Sequence, residues 1–217
     1  MDEIQRAKIV LKILNKIYPK TPIPLKHRNK FTLLVSVLLS AQTTDVNVNN
    51  VTKNIYPKYN KPEQFVKLGR KKIENLIKSI GIFRVKAKSV YLLSKQLIEK
   101  HNGKVPDNFD DLEKLPGVGH KTASVVMSQG FGYSAFPVDT HIHRLAQRWG
   151  LTNGKNVVQT EEDLKRLFPK KYWNKLHLQI IYYGREYCKA RDCYGLSCKI
   201  CTSCYPDRKK PFIAKKP

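Results

Sequence analysis

One glycine-rich stretch, Leu115-Pro116-Gly117-Val118-Gly119-His120-Lys121-Thr122-Ala123, predicts a tight hairpin between two helices. Pro116 ends the preceding helical run, and Gly117 and Gly119 permit backbone geometry that a Cβ atom would obstruct. A helix that begins near Gly119 directs its first N–H groups into the turn, which makes a seat for a phosphate. A plain helix–turn–helix connection with an exposed lysine explains the stretch equally well, because short glycine motifs often occur by chance.

The composition favours a polyanionic partner. The chain of 217 residues has 41 Lys and Arg against 17 Asp and Glu, a formal net charge of +24. Such a charge points to nucleic acid before membrane, although a solvated basic surface is the alternative. The apolar run Phe31 to Leu39 is too short to span a bilayer, and the N-terminus lacks a signal-peptide core. We therefore expect a cytoplasmic protein, associated with the nucleoid if it is bacterial.

Apolar residues recur at helical spacing along the chain, and alternating strand patterns are absent from the sequence. Phe31 to Ala41 is apolar nearly all round and predicts a buried helix. Further helices are predicted at Val46 to Tyr56, Leu68 to Ile80 and Val85 to His101. Asp139 is predicted to be the N-cap of a later helix. These patterns predict an all-α fold.

Two loop residues are candidates for contact with a nucleic acid. Gln42 is a polar residue directly after the first buried helix. The simpler interpretation is that its side chain forms hydrogen bonds within its own loop. Ile82 lies in a turn of bulky apolar residues followed by the basic residues Arg84, Lys86 and Lys88. An apolar tip beside basic residues suits insertion between bases, and ordinary core packing is the competing interpretation.

All five cysteines fall between Cys188 and Cys204. In a chain without a secretory signal, such a cluster indicates metal ligands rather than disulfides. The run Cys198-x2-Cys201-x2-Cys204 has a spacing that ferredoxin-type clusters use, together with a remote fourth ligand. Tetrahedral zinc held by four of the five cysteines is the alternative.

These motifs, taken together and in order, resemble the endonuclease III family of helix-hairpin-helix DNA glycosylases with associated lyase activity. The resemblance rests on Leu115 to Ala123, Val138 to Arg144, Leu38 to Gln42, Asp45 and the cysteine cluster. It implies an all-α fold of two helical domains with a DNA-binding cleft between them. Residues 23–133 would form a six-helix barrel domain with the hairpin, and residues 1–22 plus 134–217 a helical domain that carries the cysteine loop.

The resemblance also implies the chemistry. Lys121 would be the nucleophile that forms a Schiff base, and Asp139 the carboxylate that assists it. Gln42 and Ile82 would fill the gap left by an extruded nucleotide, and the hairpin would bind the DNA backbone through Leu115, Pro116, Gly117, Val118, Gly119 and His120. The implied function is base-excision removal of oxidised pyrimidines with abasic-site lyase activity. The expected partner is double-stranded DNA with a damaged base or an abasic site, and the protein is expected to be a monomer.

The resemblance further implies a [4Fe–4S] cluster, but the cysteine spacing departs from the family pattern. Counted from Cys188, that pattern places the other ligands at Gly195, Cys198 and Cys204, and glycine cannot be a ligand. Cys193 or Cys201 could replace it. We expect the ligands to be Cys188, Cys198, Cys201 and Cys204, with Cys193 spare and zinc as the alternative metal.

Three other functions fit parts of the sequence. An adenine-type monofunctional glycosylase would look similar overall, but such enzymes lack the hairpin lysine nucleophile. A non-catalytic helix-hairpin-helix DNA-binding protein would need neither Lys121 nor Asp139. A zinc-stabilised adaptor would use the cysteine loop and leave the hairpin incidental.

Overall fold

The computed structural model describes residues 1–216, and this part of the chain is all-helical, with no β-strand. The predicted all-α class is therefore confirmed. A 3₁₀ turn at Lys170–Tyr172 precedes the tenth helix. The α-helices are α1 (Glu3–Ile17), α2 (Lys30–Leu39), α3 (Asp45–Thr52), α4 (Pro62–Leu76), α5 (Phe83–His101), α6 (Phe109–Glu113), α7 (His120–Gly130), α8 (Thr140–Arg148), α9 (Val157–Leu167), α10 (Trp173–Glu186) and α11 (Lys199–Cys204).

The chain divides into two compact units. One unit is Ile23–Tyr133, and the other combines Met1–Pro22 with the chain from Ser134 onward. Each unit has its own apolar core. No helix of residues 1–216 is long and apolar enough to cross a membrane.

The unit Ile23–Tyr133 contains α2 to α7 and is built around α2. Nearly every residue of α2 is buried, as its continuous apolar sequence predicts, and α3, α5 and α7 pack against it. Asn29 caps the start of α2 by accepting a hydrogen bond from the Thr32 amide. The pair α4 and α5 completes the core, and α6 leads into the hairpin that precedes α7.

The second unit brings α1 together with α8 to α11. Helix α1 buries one face, which includes Ala7, Val10 and Leu14, against α9, α10 and α11. Helix α10 also packs on α8. The helices before and after the cysteine loop, α10 and α11, therefore share a core with the N-terminal helix. At the start of α1, Asp2 and Gln5 form a reciprocal capping box.

Helix α4 differs most from the sequence prediction. It begins at Pro62 and ends at Leu76, whereas the apolar pattern predicted Leu68 to Ile80. Gly69 interrupts it with φ +74° and ψ 156°, so two helical segments meet at a kink. The periodicity changes phase at that glycine, and a pattern read from Leu68 onward therefore misses the first segment.

Candidate active site and metal centre

The hairpin before α7 is a tight turn that requires glycine at one position. The Val118 amide donates to the Leu115 carbonyl at 3.0 Å, and Gly117 has φ +80°. With Pro116 before the glycine, this is the pattern of a type II turn. A Cβ atom at Gly117 would lie 2.8 Å from the Cβ of Ser89 on α5. Gly117 therefore allows both the turn and the close approach of α5.

Gly119 is different, because its backbone is extended (φ −99°, ψ 177°) and a Cβ atom there would meet nothing within 4 Å. The expectation that a Cβ atom would be obstructed thus holds for Gly117 and not for Gly119. Gly119 is the N-cap of α7, and no side chain caps that helix end. The open space over this helix N-terminus suits the approach of an anion.

Some side chains of the hairpin are exposed to solvent and others are buried in the core. Lys121 is exposed in the first turn of α7. His120 is also exposed, with Nδ1 2.8 Å from the Glu113 carboxylate. Leu115 and Val118 are buried in the core of the unit, so their side chains shape the hairpin and only their backbone is placed to meet a ligand.

Gln42 and Ile82 lie on two loops that touch each other. Both residues have left-handed backbones, with φ +54° and +52°, and both are exposed. A Cβ atom on Gly81 would be 3.4 Å from the Gln42 carbonyl oxygen. Ile82 is 50% exposed, which excludes the core-packing reading. A β-branched residue in this conformation is rare, and such strain clusters at functional sites.

Asp139 is the N-cap of α8, as the sequence predicts. Its Oδ1 accepts a hydrogen bond from the Ile142 amide at 2.8 Å, and the residue is half-buried. A carboxylate has several acceptor positions, so this cap is compatible with a second role.

The sulfur atoms of four buried cysteines lie within 4.8 Å of one another, and the four are Cys188, Cys193, Cys198 and Cys201. Cys188 follows α10, Cys193 lies in the loop, and Cys198 caps α11 with Cys201 one turn later. Two Sγ–Sγ distances are 3.8 Å (Cys188 to Cys201) and 4.0 Å (Cys193 to Cys201). Hydrogen bonds from the Cys188 and Cys201 thiols lower the pKa of Cys198.

A buried guanidinium faces this cluster. Arg148 on α8 is only 2% exposed, and its Nη1 donates to the Cys188 sulfur at 3.3 Å and to the Lys189 carbonyl at 2.8 Å. No carboxylate of residues 1–216 forms an ion pair with it. A buried cation needs a negative partner, and thiolates bound to a metal supply one. The surroundings therefore fit a metal centre held by cysteine thiolates.

Comparison with known proteins agrees with this geometry. The family model of the HhH-GPD superfamily of base excision DNA repair proteins matches residues 35–170. Endonuclease III of Bacillus subtilis is 40% identical over 211 residues, which cover 97% of this chain and 96% of the relative. Endonuclease III of Escherichia coli K12 is 42% identical, covering 88% and 92%. The chain belongs to the endonuclease III family.

A solved structure of a trapped endonuclease III–DNA covalent intermediate is also similar to this chain. Its TM-score is 0.88 at 41% identity, and the match covers 92% of this chain and 94% of that one. Membership of the endonuclease III family confirms the enzyme class that the motifs implied, a DNA glycosylase with abasic-site lyase activity, acting in base excision repair.

The cysteine loop differs from the ligand set that the sequence predicts. The structure joins Cys188, Cys198 and Cys201 as expected, but their neighbour is Cys193 and not the expected Cys204. Cys204 lies at the end of α11, a turn beyond Cys201 along the helix axis. Cys204 is buried but is not one of the four cysteines whose sulfur atoms lie within 4.8 Å of one another, and burial raises the pKa of its thiol to about 11.

Cys193 reaches the quartet because the loop folds back on itself. Tyr194 and Gly195, which follow it, have φ +47° and +79°. Arg208 holds this turn by donating to the Gly195 carbonyl at 3.3 Å, and the Phe212 amide donates to the Tyr194 carbonyl at 2.8 Å. The spacing of the cysteines does not predict that the loop reverses here, although Gly195 is a residue type that permits such a turn.

Proposed function

We propose that this protein removes oxidised pyrimidines from double-stranded DNA and then cleaves the strand through a Schiff base on Lys121. The observation that carries the proposal is the exposed Lys121 in the first turn of α7, directly after a hairpin with an open helix N-terminus. A phosphate seated at that N-terminus would bring the neighbouring sugar close to the amine. The relation to endonuclease III supports the same assignment.

The chemistry requires a nucleotide that has left the base stack, because C1′ is shielded inside a duplex. The uncharged Lys121 amine attacks C1′, the C1′–N bond breaks, and the base leaves with a proton. Opening of the sugar gives a Schiff base between Nζ and C1′. Loss of a C2′ proton then expels the 3′ phosphate by β-elimination, and water releases the enzyme from the sugar fragment.

Asp139 is the proposed partner of the amine. Its carboxylate would stabilise the positive charge that develops on the sugar and would accept or return a proton. The hydrogen bond to the Ile142 amide fixes the position of this side chain at the start of α8. A fixed carboxylate stabilises charge better than a mobile one, because its orientation is set before the reaction.

Gln42 and Ile82 are the proposed gap-filling residues. An extruded nucleotide leaves a hole in the duplex, and apolar or amide side chains that enter it replace part of the lost stacking. Both residues are exposed, lie on touching loops and have strained backbones, which supports a role outside the fold's own core. The net charge of +24 supports binding of the phosphate backbone around them.

We also propose that the cysteine quartet holds a [4Fe–4S] cluster that stabilises the loop after α10. The four buried thiols provide the donor set that such clusters require. Zinc is the second candidate, because Sγ–Sγ distances of 3.8 and 4.0 Å are close to those around one tetrahedral ion. A brown protein with iron and sulfide in equal amounts supports the cluster, and a colourless protein with one zinc per chain supports the alternative.

A substrate panel tests the function. Duplexes that each carry one lesion would be incubated with the protein: an oxidised pyrimidine, an oxidised purine, a mispaired adenine, or an abasic site. We expect base release and strand cleavage with the oxidised pyrimidine and cleavage at the abasic site. Base release from the mispaired adenine without cleavage would favour the adenine-type glycosylase, and binding without any product would favour a pure DNA-binding protein.

A further inference from the structure

Lys86 is a buried lysine at the start of α5, on the face of the helix that enters the core. Only 3% of it is exposed, and its neighbours on that face are Ala87 and Val90. No carboxylate of the described residues forms an ion pair with it. Burial lowers the pKa of the Lys86 ammonium. A buried cation is costly, so this position calls for a reason.

The side chain of Lys86 satisfies the end of another helix. Its Nζ donates to the Leu39 carbonyl at 2.9 Å and also to the Ala41 carbonyl. The last carbonyls of α2 have no partner within the helix and carry partial negative charge. No basic residue lies in the last turn of α2, so Lys86 supplies the positive charge from α5.

The backbone of Lys86 is bonded to the second loop. Its amide donates to the Ile82 carbonyl at 3.2 Å, which closes the first turn of α5 after the left-handed residue. Lys86 is therefore bonded to Ile82 by its main chain and, through Nζ, to Ala41, the residue before Gln42. It joins the two loops that carry the proposed gap-filling pair.

We propose that Lys86 is a positioning residue that sets Gln42 and Ile82 side by side so that both enter the same gap in the duplex. This inference rests on the proposed function of that pair. Two separate loops with left-handed residues would otherwise vary in their spacing, and a side chain that fills a gap must be placed closely to contact the bases. The Lys86 ammonium is buried under the two loops and does not contact DNA in this proposal.

The test measures binding to a stable abasic analogue. A duplex with one tetrahydrofuran site lacks the reactive C1′ substituent, so binding can be measured without chemistry. Fluorescence anisotropy at one fixed salt concentration gives Kd for this duplex and for an intact duplex of the same sequence. The ratio of the two Kd values reports the filling of the gap, since contacts to the phosphate backbone are common to both duplexes.

Lys86→Met keeps an unbranched side chain that is one atom shorter and removes its donors. We expect the preference for the abasic duplex to fall at least about tenfold, about 1.4 kcal/mol, with affinity for the intact duplex little changed. Lys95→Met on the same helix is the matched control, because Lys95 is exposed and pairs only with Glu99 on the surface. This control loses the same charge and should keep the wild-type ratio.

Lys86→Gln is a second variant in case Lys86→Met does not fold, because its amide retains a donor for one of the two carbonyls. Its ratio of Kd values should lie between those of the wild type and Lys86→Met. Assays run below the melting temperature of each variant. If folded Lys86→Met has the same ratio of Kd values as the wild type, the proposal is wrong and Lys86 only caps α2. Failure of both Lys86 variants to fold leads to the same conclusion. If the wild-type protein itself shows no preference for the abasic duplex, it is the proposed function that fails.

Discussion

Replacing Gly117 by alanine should destabilise the protein strongly, for two separate reasons. The φ of +80° is unfavourable for alanine by about 1–2 kcal/mol. The new Cβ atom would lie 2.8 Å from the Ser89 Cβ and 3.2 Å from the Leu38 Cδ1, and forcing such overlap costs about 1–3 kcal/mol. Alanine also restricts the unfolded chain, which offsets about 0.4–1 kcal/mol. A net loss of about 1–4.5 kcal/mol remains, or roughly 2–18 °C in melting temperature for a chain of this size.

Thermal and urea unfolding, followed by circular dichroism, measure this loss. Gly119→Ala is the matched control, because its backbone is extended and nothing lies within 4 Å of the new atom. Gly119→Ala should unfold within about 1 kcal/mol of the wild type. In a Ser89→Gly background, Gly117→Ala should cost less, since the Cβ and Oγ atoms of Ser89, each 2.8 Å from the new Cβ, are gone. An equal cost in both backgrounds, or equal melting temperatures for the two alanine variants, would refute the steric reasoning.

Three further predictions concern the other unit. Asp139→Asn keeps an N-cap oxygen and should melt close to the wild type, yet release of the damaged base should fall at least about 100-fold in a single-turnover assay. Cys193→Ala should lower the metal content per chain by elemental analysis, while Cys204→Ala should retain it; the reverse result would restore the ligand set expected from spacing. Burial lowers the pKa of His143 from 6.5, so the unfolded chain binds its proton first as the pH falls. Urea unfolding should therefore show stability dropping as the pH goes below about 6.5, with a shallower drop in His143→Asn.

Local signals predicted the hairpin and several helix boundaries. Proline and glycine chemistry is sufficient to place the turn at Gly117, because the left-handed conformation is a local demand of the turn. The close approach of Ser89 on α5 to the same glycine is a contact between distant segments, and the local sequence does not show it. The end of α5 at His101 also follows from the sequence, since Asn102 and Gly103 after it adopt left-handed conformations. The N-cap role of Asp139 is likewise a local property of its helix start.

Contacts between distant segments were harder to predict. Cys193 lies with the other three cysteines because Arg208 holds a reversal of the loop, and Cys204 does not because α11 carries it one turn further along its axis. The spacing of the cysteines in the sequence predicts neither feature. The sequence pattern places Lys86 in a basic helix start, because charged side chains are normally on the surface. Its position among the buried residues Ala87 and Val90 of α5 was the available signal that it points inward.

Borohydride trapping tests the central role of Lys121 most directly. The protein is incubated with a duplex that carries an abasic site, and reduction converts a Schiff base into a stable protein–DNA adduct that a denaturing gel resolves. The wild type should form this adduct, Lys121→Ala should form none, and Lys114→Ala, which removes a nearby surface lysine paired with Asp111, should form it as the wild type does. An undiminished adduct in Lys121→Ala would contradict the assignment and place the nucleophile on another residue.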